Sequence, residues 1–308
     1  MVNVQYFQHC ENLEDIHLGG PAIVSGLDRR AAMDFSDEVI KGLRTSKSGL
    51  IGFEELTEYS SRFIGDPETK RKYTVLNNYM DNVYAKRITQ PFYIFIGGAA
   101  STGKDTLVQN LQYLLRGFDR VTGTDSLREQ VRTEVIQEHE GRENVPAEKL
   151  YLFEALFNLK GGDMHRQIEA VKRKVPEYFL QQAESECKGW MHPFYVLQGT
   201  HVVPGFEEVV DGENKMLAIV SPSQGALASR VRSRQDRERG PVGSSSEGMQ
   251  RSIECRKTIG IRDYLQGLAM EKGNAVINED HWLKTVQSFG EHLVGKLESV
   301  LEGQRVSV

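Results

Sequence analysis

At 308 residues and a net charge of −5, the chain has room for one large domain or two smaller ones, and its charge balance gives no pull toward nucleic acid or anionic membrane. Cys10, Cys187 and Cys255 are odd in number and far apart, which argues against a disulfide framework or zinc site and for a reducing compartment. No apolar run reaches the length of a membrane span and the first residues lack the basic-then-apolar order of a secretory signal, so a cytoplasmic protein is expected.

Residues 1–26 are mixed in pattern and broken by Gly19, Gly20 and Pro21, so an irregular arm or short strands are expected. From about Asp28 to Arg87 the spacing turns helical. Ser36 is placed to cap a helix carrying Val39, Ile40 and Leu43. Phe53, Leu56, Tyr59 and Phe63 suit a second helix. Asp66-Pro67 opens a third, with Tyr73, Leu76, Tyr79, Met80 and Val83 at helical spacing. Residues 1–88 are therefore expected as an arm plus a small helical module ahead of a domain over 89–308. Packing on that domain is preferred to binding a regulator or mediating dimers; the oligomeric state is left open.

Phe92 to Ile96 reads as a buried strand, Gly97 to Gly103 as a loop of small residues, and Leu107, Leu111, Leu114 and Leu115 mark the helix that follows. The loop carries Gly98-x-x-x-x-Gly103-Lys104, the core of a phosphate-cradling loop. Glycines let the backbone curl so that several N–H groups share one hollow, and the helix adds the positive end of its dipole. Gly98, Ala99, Ala100, Ser101, Thr102, Gly103, Lys104, Asp105 and Thr106 are the expected nucleotide-binding set, with Lys104 on the β- and γ-phosphates. The residue after the lysine is normally Ser or Thr, whose hydroxyl binds Mg²⁺; here it is Asp105. Asp105 and Thr106 are the candidate Mg²⁺ residues, and reduced catalysis is the alternative. Thr106 is either a partner of the α-phosphate or an early helix residue.

Arg120 to Asp125 is a short β-rich run ending in a carboxylate, with a helix capped by Asp125 or Ser126 directly after it. Ligands gather at the carboxyl ends of parallel strands. Asp125 is thus a candidate to orient an acceptor hydroxyl or hold metal through water, and Arg128 to grip an anionic acceptor. The plainer alternative is a helix cap and a surface arginine. Residues 140–165 suggest a loop and then a helix with Leu150, Phe153, Leu156 and Phe157 on one face, continuing helically over 165–188. Phe194 to Gln198 is the next buried strand, with Gln198 where an acidic residue usually supports Mg²⁺. His201, just past it, either contacts an acidic substrate or is structural.

Lys215 to Ser221 is a further strand. It feeds a segment with five arginines, Arg230, Arg232, Arg234, Arg237 and Arg239, of which Arg230, Arg234 and Arg237 share a side at helical spacing. Arginine grips phosphate oxygens as a planar fork, so an arginine-rich lid near 229–246 is expected, hinged at Gly240 to Ser246. A mobile surface helix and a nucleic-acid patch are the alternatives; the acidic net charge and lack of interleaved aromatics weigh against the latter. A helix from about Gly248 to Lys272, a strand Ala275 to Asn278 and an amphipathic helix from His281 to about Leu301 complete the chain.

Ile96-Gly-Gly-Ala-Ala-Ser-Thr-Gly-Lys-Asp-Thr106, Asp119-Arg-Val-Thr-Gly-Thr-Asp-Ser-Leu-Arg128 and Gln198-Gly-Thr-His-Val-Val-Pro-Gly205 together resemble the archaeal-type 2-phosphoglycerate kinases. So do Ser229-Arg230, Ile261-Arg-Asp-Tyr-Leu265 and Ala275-Val-Ile-Asn278, in matching order across about residues 60–280. The resemblance implies an α/β fold of P-loop NTPase type, a parallel sheet with helices on both faces preceded by a shortened helical module. It implies ATP, Mg²⁺ and transfer of a phosphoryl group to 2-phosphoglycerate, giving 2,3-bisphosphoglycerate. Lys104, Asp125, Arg230 and Arg234 then carry the chemistry, and Asp125, Arg128 and His201 hold the acceptor. The family usually has Ser or Thr at Asp105 and Glu at Gln198. These departures keep two alternatives alive: a kinase of another small acceptor (a nucleotide or sugar), or a nucleotide-binding regulatory protein with reduced catalysis.

Overall fold

The computed structural model describes residues 18–45, 53–159, 161–184, 191–240 and 242–305. Five parallel strands form one sheet: β1 (Phe92–Gly97), β2 (Arg120–Gly123), β3 (Phe194–Gly199), β4 (Lys215–Val220) and β5 (Ala275–Ile277). Their order is β2-β3-β1-β4-β5. Eleven helices flank the sheet on both faces among the described residues, an α/β arrangement of P-loop NTPase type. The central strands read as near-continuous apolar runs because both faces are covered. Register places Gly97 opposite Gly199, and Gly123 opposite Gln198. The carboxyl ends of β1, β2 and β3 thus meet at one place.

Strand alternation divides the core into two layers. Phe92, Ile94, Ile96, Phe194 and Val196 face one side, with Phe118, Leu111, Phe289 and Leu293. Phe95, Tyr195, Leu197, Leu217 and Ile219 face the other, with Leu127, Val171, Phe179 and Leu265. The first layer also contains the N-terminal helices α1 (Gly19–Ser25), α2 (Arg29–Thr45), α3 (Phe53–Ser61) and α4 (Pro67–Tyr84), which contribute Val24, Phe35, Leu56, Tyr73 and Tyr79. The N-terminal helices therefore pack on the sheet domain through a shared core.

The described part of the arm, residues 18–26, is helical rather than irregular. Gly20 allows close approach instead of breaking the helix, since a Cβ there would lie 2.0 Å from the Leu114 carbonyl oxygen, and on the facing C-terminal helix a Cβ on Gly290 would lie 2.4 Å from that of Val24. α1 is thereby wedged between α5 (Lys104–Leu114) and α11 (Trp282–Arg305). Gly20→Val is expected to lower the unfolding free energy by about 2 kcal/mol, as overpacking does, read as a lower urea midpoint at unchanged slope. The rest of the arm, residues 1–17, lies outside the described residues.

Four expected boundaries move. α2 starts at Arg29 because Asp28 Oδ1 accepts from the Ala31 amide at 2.8 Å; Ser36 sits mid-helix and its hydroxyl donates to Ala32 O. Residues 140–159 form short 3₁₀ turns instead of a helix, because side chains from neighbouring helices take their carbonyls (Arg132 on Leu152 O, Gln167 on Tyr151 O and Glu154 O). The next stretch splits into α7 (Gly161–Lys172) and α8 (Val175–Glu184), since Pro176 can join a first turn but not a helix interior. α10 (Ser245–Glu271) starts before Gly248 because the Ser244 hydroxyl caps the Glu247 amide. Asp66 caps α4 as expected, accepting from Thr69 N at 2.7 Å.

Candidate functional site

The loop between β1 and α5 owes its shape to three left-handed or near-mirror backbone positions: Gly98 (φ +151°), Ser101 (φ +63°) and Gly103 (φ +98°). A Cβ on Gly98 would sit 2.7 Å from Val220 O and 2.8 Å from Thr102 Oγ1. Thr102 is buried and its hydroxyl donates to Ala99 O at 2.9 Å, closing the loop on itself. Its side chain therefore holds the loop and is not free for a ligand. Gly103 caps α5 with no side chain, which leaves the first-turn amides open to an incoming anion.

Lys104 opens α5. It is 6% exposed, and no hydrogen bond or ion pair joins its ammonium to any described residue. Burial pushes its pKa down, while Asp105 and Asp125 pull the other way. A buried, unpartnered cation at a glycine loop is a site short of an anion.

Two cavities adjoin at this loop, and Lys104 lines the smaller of them. The larger, about 760 Å³, is lined by the loop, Asn110, α9 (Gln224–Arg239) through Arg230, Arg234 and Arg237, and the start of α11 through His281 and Trp282. The smaller, about 320 Å³, is lined by Lys104, Asp125, Arg128, Gln198, Thr258 and Ile261 among others. Ser101, Asp105 and Arg234 line both. The junction is therefore where a group could pass between occupants of the two spaces.

Asp125 follows the first residue of α6 (Thr124–Glu138), with its side chain 75% exposed and Oδ1 3.3 Å from Arg128 Nη2. The helix is not capped by Asp125 or Ser126; Gly123 takes that place. Arg128 also reaches Glu154 O at 3.4 Å. Gln198 Oε1 is buried without a hydrogen-bond partner. The structure brings Lys104, Asp105, Asp125, Arg128 and Arg234 together. Thr106 lines the larger cavity only.

Arg230 and His201 differ from expectation. Arg230 donates from Nη1 to Thr102 O and from Nη2 to Asp280 O, both at 2.6 Å, so here it braces the loop. Asp280 is held in turn by the hydroxyl and amide of Ser223, which lower its pKa. His201 is 0% exposed and does not line the smaller cavity. Its Nδ1 lies 3.0 Å from Thr124 Oγ1 and its Nε2 3.0 Å from Gln167 Oε1, so neither nitrogen is left for an acceptor. Burial lowers its pKa to about 4, with Arg128, Arg132 and Lys104 adding to the shift and Asp125 opposing it.

The stretch 229–246, expected as a lid, holds the later part of α9 and the start of α10 (Ser245–Glu271). Arg251 is 5% exposed and donates to Asp236 and Gly240 O, at 2.9 and 2.8 Å, and to Glu247. Arg239 pairs with Glu254. Thr258, Ile261, Leu156, Asp280, His281 and Trp282 join the cavities without having been singled out for them. The position of His281 and Trp282 just beyond β5 was the available signal for those two. Thr258 and Leu156 arrive by tertiary packing, which no local pattern marks.

Among the described residues, no group of three or more His, Cys, Asp or Glu could hold a metal unaided, and no helix is long and apolar enough to cross a membrane. No family model matches the chain, and no solved structure matches it. A curated 2-phosphoglycerate kinase of Pyrococcus horikoshii is 25% identical over 227 residues, covering 71% of this chain and 69% of that protein. The chain is thus similar to a kinase over most of its length.

Proposed function

We propose that the protein is an ATP-dependent kinase of a small phosphorylated acid, with 2-phosphoglycerate as acceptor. The observation that carries this is Lys104, a largely buried residue whose ammonium has no partner among the described residues and lines the smaller cavity, next to Ser101, Asp105 and Arg234, which line both. ATP occupies the larger cavity, its β- and γ-phosphates on the loop amides and Lys104. The acceptor occupies the smaller one. Asp125 accepts the hydroxyl proton and aligns the oxygen for in-line attack; Arg128 holds the acceptor's anionic group; Arg234 meets the charge on the group in transfer.

Asp105 and Thr106 would hold Mg²⁺, which would supply neutralisation of phosphate charge. The buried, unpaired Gln198 oxygen suits a donor such as metal-bound water. A volume of about 320 Å³ is at the small end of ligand sites. Among the described residues no aromatic side chain lines it to stack a base, which supports a small acid over a nucleotide as acceptor. The arginines of α9 support a small-molecule partner over nucleic acid, since Arg230, Arg234 and Arg237 line the larger cavity and Arg239 is paired with Glu254.

The test is ADP release with 2-phosphoglycerate, 3-phosphoglycerate, nucleoside monophosphates and sugars side by side. Selective turnover of 2-phosphoglycerate is expected; turnover of a nucleotide or sugar alone would reassign the acceptor. Arg128→Ala is expected to raise the acceptor KM about tenfold or more, the worth of a charge-assisted hydrogen bond, with the ATP KM unchanged. Asp105, in place of a hydroxyl residue, favours a second reading as a nucleotide-binding regulator, which predicts ATP binding without turnover for every acceptor.

A further inference from the structure

Beneath the smaller cavity lies a buried polar chain that the proposed chemistry does not use. Thr124, His201 and Gln167 are each no more than 1% exposed. Gln167 Nε2 donates to Tyr151 O at 2.6 Å and to Glu154 O at 3.1 Å. Its Oε1 is therefore an acceptor, and His201 Nε2, 3.0 Å away, carries the hydrogen. Nδ1 is then bare and accepts from the Thr124 hydroxyl. Gly199 makes this contact possible, since a Cβ there would fall 1.9 Å from Thr124 Oγ1.

The two ends of the chain are the two walls of the cavity. Thr124 opens α6 and precedes Asp125; Tyr151 and Glu154 lead directly into Ala155 and Leu156, which also line the cavity. We propose that His201 is a positioning residue that holds these walls in register, joining the start of α6 to the 151–156 segment through Gln167. The inference rests on the kinase reading of the cavity. His201 is suited because it accepts at one ring edge and donates at the other. Losing the link would leave Gln167 Oε1 buried and unpaired and would free the wall that bounds the acceptor. Arg132 on Leu152 O and Arg128 on Glu154 O brace the same segment from α6.

Three single variants of the full chain separate a register role from bulk stability. His201→Gln keeps an amide donor near the Nε2 position and so keeps Gln167 paired. His201→Asn keeps an acceptor near Nδ1 but is too short to reach Gln167. Gln167→Leu removes the link from the other side. His201→Asn and Gln167→Leu are each expected to raise the acceptor KM about tenfold, with kcat and the ATP KM nearly unchanged, since small misplacements of a bound group weaken productive binding. The double variant is expected to be no worse than either single one, and His201→Gln, which keeps the Gln167 half of the link and loses the Thr124 half, to fall between wild type and His201→Asn. Hydrogen exchange gives a readout independent of activity: amides of 147–158 exchange faster in His201→Asn and Gln167→Leu, while those of 98–104 do not. Unchanged exchange over 147–158 in both variants would overturn the proposal. So would equal losses in acceptor and ATP affinity. If the wild-type protein turns over no acceptor, the kinase reading fails by itself and the exchange pattern still decides whether His201 joins the walls.

Discussion

Replacing Lys104 with methionine is expected to lower phosphoryl transfer about 10²- to 10³-fold, the usual loss when one preorganised charge is withdrawn from a transition state. The same change is expected to leave thermal stability unchanged or raised. Lys104 is a buried cation with its pKa pushed down by burial, so the folded protein disfavours its charge. Methionine keeps the aliphatic stem and removes that desolvation cost. A residue retained against stability is one retained for a ligand. Melting curves and ADP release on the same samples check both halves. Loss of stability together with activity would make Lys104 a structural residue and remove the main support for the proposed site.

Acid is expected to destabilise the protein through His201. Its folded pKa of about 4 lies below the ordinary 6.5, so it folds as the neutral imidazole. The unfolded chain takes up a proton below 6.5, and the folded chain does so only near 4. Stability from this group is therefore complete above pH 6.5 and falls as pH drops through the window to 4. The full loss is about 3 kcal/mol, at 1.36 kcal/mol for each unit between the two values. Urea unfolding of wild type and His201→Gln at pH 7.5 and 4.5 isolates the term, because carboxylates contribute alike to both proteins. A pH dependence identical in the two would show that His201 titrates normally.

The strands, the glycine loop and the helix behind it were legible because their signals are local. A run such as Phe92 to Ile96 can only be a doubly covered strand here, and Gly98 and Gly103 stand where backbone angles demand glycine. Asp66-Pro67 was readable as a helix start for the same reason, since cap and first turn are adjacent in sequence. Sequence reasoning failed where a distant side chain decides the local outcome. Arg132 and Gln167 take carbonyls that residues 147–158 would need for a helix. Gly20 reads as a breaker because the helix it must touch, α5, lies far along the chain. His201 has substrate-like spacing after β3, yet the pairing of Thr124 with its Nδ1 draws it beneath the cavity floor. Arg230 fits a lid by spacing, and only the fold shows two carbonyls already holding it.

The most direct test is to supply ATP labelled in its γ-phosphoryl group, with Mg²⁺ and 2-phosphoglycerate, and to follow the label. Label appearing in a bisphosphorylated acid, and absent with the Lys104→Met protein, is the result expected of a kinase built on this loop. Label remaining in ATP with every acceptor, while ATP still binds, would contradict it and leave a nucleotide-binding protein that does not transfer phosphate.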